Sequence, residues 1–109
     1  MKKFMLVYYG KVRAEEISKE EMKNTMDKWM AWFGSFQKQM VDGGNPFAAD
    51  AKSVTANGVE TISPEKWPAK GYTIITATDM AEATKIAKTC PVLEDDSEGA
   101  VHVYEALPM

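Results

Sequence analysis

Phe4-Met5-Leu6-Val7-Tyr8-Tyr9 is an unbroken apolar run closed by Gly10. It is too short for a stable helix, and its branched and aromatic residues fit a pleated strand. A strand with one wet face alternates polar and apolar residues; this run does not, so it reads as buried on both faces. Tyr72-Thr73-Ile74-Ile75-Thr76-Ala77-Thr78 gives the same reading, with Ile74 and Ile75 on opposite faces. The last strand, expected over Ala100–Ala106, sends Val101 and Val103 one way and His102 and Tyr104 the other.

Between the first two of these strands lies the clearest helix. Ser18-Lys19-Glu20-Glu21 is a capping box: the serine oxygen accepts from the amide of Glu21, and the Glu21 carboxylate reaches back. On a wheel turning about 100° per residue, Met22, Met26, Trp29, Met30, Phe33, Phe36, Met40 and Val41 share one arc. Asn24, Asp27, Lys28, Ala31, Ser35 and Lys38 lie opposite, and Trp32 falls at the edge of the apolar arc. The helix is expected to run to Gly43-Gly44, where glycine can take the left-handed cap conformation, and Pro46 prevents it from resuming. Gly34 inside it costs about 1 kcal/mol relative to alanine, and either permits a close backbone approach or has no packing role.

Two short strands follow, about 51–56 and 59–63, joined by Asn57-Gly58, the pair that a type I′ hairpin turn favours. Pro64 to Lys70 reads as a loop. Asp79 with Glu82 caps a short second helix, ending near Thr89 before Pro91. Its inner residues Ala83, Ile86, Ala87 and Cys90 are small enough to sit close to a sheet. The order is strand, long helix, three strands, short helix, strand. With the hairpin counted as an edge extension this is an α+β, ferredoxin-like β-α-β-β-α-β plan, an antiparallel sheet covered on one face by two helices. Two helices leave the other apolar face bare. A monomer rarely exposes several hundred Å² of contiguous apolar surface, and burying it yields about 25 cal/mol per Å². A homodimer, sheet face to sheet face, is expected.

Composition sets outer bounds. The chain has 109 residues, 45% apolar and 27% charged, which fits a single domain over 1–109. Net charge is −3, so no basic footprint for nucleic acid is present. One cysteine and one histidine exclude an internal disulfide framework and a Cys- or His-rich metal centre. No stretch approaches the roughly 20 apolar residues of a membrane span. The start, Met1-Lys2-Lys3 before an apolar run, lacks the length and cleavage site of a signal peptide. With the free thiol Cys90, a cytoplasmic protein is expected, with no membrane, nucleic-acid, cofactor or metal partner.

Several blocks, taken in order, carry a resemblance. They are 3–9 (KFMLVYY), 29–33 (WMAWF), 44–47 (GNPF), 70–75 (KGYTII), 89–93 (TCPVL) and 101–109 (VHVYEALPM). Together they resemble the YCII-related domain family, the group that includes DGPF-type proteins. The resemblance implies a dimeric α+β barrel. Some YCII-like members carry a His–Asp pair proposed as catalytic; its positions fall near Lys28 or Trp29 and near Phe36 or Gln37, where this chain has no such residues. The DGPF tetrapeptide is replaced by Pro64-Glu65-Lys66-Trp67-Pro68.

The function expected is binding of a small apolar or aromatic molecule in a cleft between the long helix and the sheet. Its candidate lining is Tyr8 or Tyr9, Trp29, Phe33, Tyr72 and His102, with Trp32 either at the mouth or capping the sheet edge. His102 is the one candidate acid/base, since only histidine titrates near neutrality unperturbed; whether the protein is an enzyme stays open. Asp42, Asn45, Asp50, Lys52 and Ser53 can supply polar groups at the rim. Cys90 reads as a buried thiol and Glu94-Asp95-Asp96-Ser97-Glu98 as a solvated turn. The alternative is a non-catalytic interaction or regulatory module that uses the acidic loop and a rim around Trp32 and Trp67.

Overall fold

The computed structural model describes residues 1–10, 18–48, 50–63, 69–95 and 99–109. Pro64-Glu65-Lys66-Trp67-Pro68 and the Asp96-Ser97-Glu98 part of the acidic loop, both singled out above, lie outside them. Strand β1 (Lys2–Tyr9) is followed by α1 (Lys19–Ser35), a 3-10 turn (Gln37–Gln39) and β2 (Met40–Asp42). Then come β3 (Lys52–Thr55), β4 (Gly58–Thr61), β5 (Ala69–Ala77), α2 (Met80–Ala87), α3 (Val92–Asp95) and β6 (Ala100–Ala106). The main sheet has four antiparallel strands in the order β2-β5-β1-β6. This is a ferredoxin-like α+β fold, with β3 and β4 inserted as a separate two-stranded hairpin.

The expected caps form. Ser18 Oγ accepts from the Glu21 amide at 3.1 Å, and Asp79 Oδ1 accepts from the Glu82 amide at 2.9 Å. The long helix, however, is shorter than its periodicity predicts. It stops at Ser35, and Phe36 turns out of the helix with φ −132° and ψ 30°. Met40 and Val41, read above as helical, belong to β2, with Met40 opposite Ile75. The cause is tertiary: without β2, β5 would present an unpaired edge, and its backbone groups need partners. Gln39 secures the crossing, its amide donating to the Thr76 carbonyl (3.2 Å) and to Glu82 Oε1 (2.7 Å). Gly44 does take positive φ (76°), but after β2 rather than as a helix cap. A Cβ there would sit 1.6 Å from the Tyr72 carbonyl oxygen.

The hairpin is also one residue out of step with its expected turn. Thr55 pairs with Gly58, so Ala56-Asn57 form the turn and Gly58 opens β4 at φ 139°. No side chain of β3 or β4 is buried.

Strand periodicity sorts the main sheet into two faces. Phe4, Leu6 and Tyr8 of β1, with Thr73, Ile75 and Ala77 of β5, turn toward the helices and are buried. The other face carries two cross-strand rows, Ile74–Met5–Tyr104 and Tyr72–Val7–His102. No helix of the described chain covers these rows; Met5, Val7, Ile74 and Tyr72 are half-buried, His102 and Tyr104 exposed. No helix among the described residues is long and apolar enough to cross a membrane.

Candidate functional site

Trp32 orients the helical layer. It is buried, and its indole N–H donates to the Ile86 carbonyl (3.2 Å) and to Thr89 Oγ1 (3.0 Å), tying α1 to the end of α2. The expectation that Trp32 edges a pocket or an interaction rim is therefore corrected: it is core. The wheel misplaces it because it counts methionine and tryptophan alike. The larger indole, with a polar N–H that needs a partner when buried, takes the inward position. Met22, Met26 and Met30 are left largely exposed.

This rotation of α1 opens a cavity of about 470 Å³ between its residues 25–33 and the sheet. Met26, Trp29, Met30 and Phe33 wall it from the helix, and Tyr8, Gly71 and Tyr72 from the sheet. Gly43-Gly44-Asn45-Pro46 border it from the segment that leaves β2, held against β5 by the Pro46–Gly71 bridge and the Phe47 amide donating to the Lys70 carbonyl. Thr25, Lys70 and Val92 complete the lining. Trp29 stands edge-on to Tyr8, ring centroids 4.9 Å apart, and packs on Phe33 at 5.9 Å.

Of the residues named from sequence, Tyr8, Trp29, Phe33 and Tyr72 line this cavity. Tyr8, not Tyr9, is the first-strand tyrosine that does so. Tyr72 reaches it from the sheet's edge, where its ring stacks on Phe47 at 5.7 Å. Tyr9 and His102 do not join them. Both sit on the uncovered face, rings 4.3 Å apart, with His102 Nδ1 3.4 Å from the Tyr104 hydroxyl. The reason is the period of two: Val101 and Val103 turn to the helices, so His102 between them must turn away. Burial and the neighbouring Tyr104 raise the Tyr9 phenol above its ordinary value.

Of the rim candidates, Asn45 alone lines the cavity. Asp42 Oδ1 accepts from the Gly44 amide at 2.8 Å, holding the turn, and Asp50 pairs with Lys52 at 3.5 Å beside the exposed hairpin strand that carries Ser53. Thr25, Lys70 and Val92 are not among the candidates named from sequence, and Met26 and Met30 appear there only on the apolar arc of the helix. The methionines were legible as a stripe at helical spacing, but nothing in that stripe distinguishes a core wall from a cavity wall.

The chemistry of the lining is apolar and aromatic. Among the described residues the lining holds no carboxylate, histidine or thiol, and no group of three or more His, Cys, Asp or Glu is placed to hold a metal. Tyr8 stays a neutral phenol: burial lifts its pKa far above the ordinary range, outweighing the hydrogen bond to Thr73. Cys90, buried behind the helices, has its thiol pushed up to about 12 by burial, against a weaker lowering from the Val92 backbone.

No family model and no curated protein matches this sequence. Among solved structures, the chain is similar to 5-chloro-2-hydroxyhydroquinone dehydrochlorinase (TftG) from Burkholderia phenoliruptrix AC1100, in complex with 2,5-dihydroxybenzoquinone, at a TM-score of 0.55 and 12% identity. The match covers 94% of this chain and 93% of that one. At that identity the likeness speaks to the fold, and it spans the whole plan of sheet and helices.

Proposed function

We propose that this chain binds a small apolar or aromatic molecule in the cavity between α1 and the sheet. The observation that carries the reading is the cavity itself. Its volume of about 470 Å³ lies within the roughly 300–1,000 Å³ of small-molecule sites, and its few polar groups among aromatic and aliphatic walls fit the same pattern. Tyr8, Trp29, Phe33 and Tyr72 give the cavity aromatic surface for a ring to pack against. The structural relative's complex with a dihydroxybenzoquinone supports the same ligand class, and the ordered sequence blocks support kinship with YCII-related proteins.

The test is a calorimetric and thermal-shift screen with naphthalene, 2-naphthol and hydroquinone. Binding that weakens at least about tenfold in Trp29→Ala, whose ring supplies one wall, is the expected result. Saturating concentrations of all three that shift neither melting temperature nor heat overturn the reading.

The protein works as a homodimer in this proposal, joined through the uncovered rows Ile74–Met5–Tyr104 and Tyr72–Val7–His102. A stable interface needs roughly 800 Å² from each partner, and this is the face of the fold that offers a continuous apolar surface. Light scattering on the eluting protein should give twice the 12.1 kDa of one chain, and Val7→Asp should return it to one. A monomer at micromolar concentration refutes the dimer without touching the cavity.

A further inference from the structure

One hydrogen-bond chain beside the cavity has a fixed polarity. The Tyr8 hydroxyl lies 2.6 Å from Thr73 Oγ1, and Thr73 Oγ1 lies 2.9 Å from the Gly43 carbonyl oxygen. Tyr8 and Gly43, the two ends, both line the cavity; Thr73 between them is fully buried. A backbone carbonyl can only accept. The single hydroxyl proton of Thr73 is therefore committed to Gly43, and Thr73 Oγ1 can meet Tyr8 only as an acceptor. That commits the Tyr8 proton in turn. What Tyr8 has left is a lone pair.

We infer that Tyr8 is a specificity-determining hydrogen-bond acceptor, which makes the cavity select rings bearing a neutral hydroxyl or N–H donor, such as phenols and hydroquinones, over isosteric aryl ethers and quinones that only accept. The inference rests on the cavity-binding reading above and narrows its ligand class. A ligand hydroxyl that meets Tyr8 completes a four-member relay running ligand, Tyr8, Thr73, Gly43, with every proton pointing the same way. An ether or quinone oxygen at the same point faces a lone pair and loses its hydration without a donor in exchange. An anionic oxygen there is worse placed still. The elevated Tyr8 pKa agrees with this assignment, since a phenol that keeps its proton keeps the polarity of the relay. The preference concerns the substituent that meets Tyr8.

The experiment is calorimetric titration of the full chain, at neutral pH, with naphthalene, 2-naphthol and 2-methoxynaphthalene. Wild type should bind 2-naphthol about tenfold more tightly than its methyl ether. In Tyr8→Phe the ratio should fall to about one. In Thr73→Val, which frees the Tyr8 proton to donate, the methyl ether should gain affinity relative to wild type. Thr73 keeps its bond to Gly43 in Tyr8→Phe, so that variant should fold, and the Thr73 variant gives an independent readout. Equal binding of naphthol and ether by wild type, or a preference that survives Tyr8→Phe, overturns the acceptor role and leaves the cavity reading standing. Failure of all three probes to bind overturns the cavity reading, and this one with it.

Discussion

The two main helices cover the same sheet face in different ways. Helix α2 meets β5 and β6 through Ala83 and Ala87, both buried, so backbone lies close to backbone. Helix α1 meets the sheet through Trp29, Trp32, Phe33 and Phe36, and a helix resting on indoles stands further off than one resting on methyls. At its C-terminal half the gap is filled: Trp32 and Phe36 are buried, ring centroids 4.7 Å apart, and the indole is anchored on the far helix. On the flank of the helix that carries Met26, Trp29, Met30 and Phe33 the gap is not filled, and a cavity remains. The contrast shows how a cavity arises without a dedicated motif. One large side chain sets the spacing, and the space beside it is packed on one flank of the helix and open on the other.

The comparison can be broken most forcefully at its packed end. Trp32→Ala removes the spacer and both of its hydrogen bonds; a loss of about 3–5 kcal/mol is expected, the range for truncating a buried tryptophan. Urea denaturation followed by circular dichroism measures it, and a loss below about 1 kcal/mol would show that the indole does not set the spacing. Next comes the close-packed helix. Ala83→Leu forces α2 off the sheet and should cost about 1–3 kcal/mol by overpacking, whereas Met30→Leu on the open side should leave the denaturation midpoint nearly unchanged. Similar costs at the two sites would erase the distinction.

A pH series sharpens the same contrast. Burial raises the Cys90 thiol from 9.0 to about 12, so the folded state keeps a proton that the unfolded chain releases. The resulting stabilisation is fully present below about pH 9 and is lost as pH rises toward 12. The denaturation midpoint should therefore fall more steeply above pH 9 in wild type than in Cys90→Ala, with Tyr8 adding a loss of the same sign in both. Parallel curves would show that the thiol is not held in the packed layer. The smallest effect belongs to Gly34. A Cβ there meets nothing within 4 Å, so of the two roles open for it, close approach is excluded. Gly34→Ala should raise stability by up to about 1 kcal/mol, visible as a small increase in melting temperature.

Much of the fold can be read from residues because it is local. The runs at Phe4–Tyr9 and Tyr72–Thr78, the caps at Ser18 and Asp79, and the alternation at Val101-His102-Val103-Tyr104 each state their geometry within a few positions. Met40 and Val41 fit a helix as well as a strand, and only the open edge of β5 decides between them. Trp29, Phe33, Tyr8 and Tyr72 could be grouped as cavity candidates because aromatic richness on facing elements is visible in sequence. That Tyr9 and His102 stand on the other face needs the register, and that Trp32 is core needs the Ile86 carbonyl 54 positions away.

Sequence alone thus determined strands β1, β5 and β6, the starts of the two main helices, the ferredoxin-like plan and the excess of apolar β-surface, because each follows from short-range periodicity and capping chemistry. The tertiary structure decided where α1 ends, that β2 rather than the hairpin completes the sheet, which way α1 turns, and that its Met26 and Met30 roof a cavity rather than a core. Those outcomes depend on competition between distant groups for the same space and the same hydrogen bonds, and a linear pattern does not record which of the competitors wins.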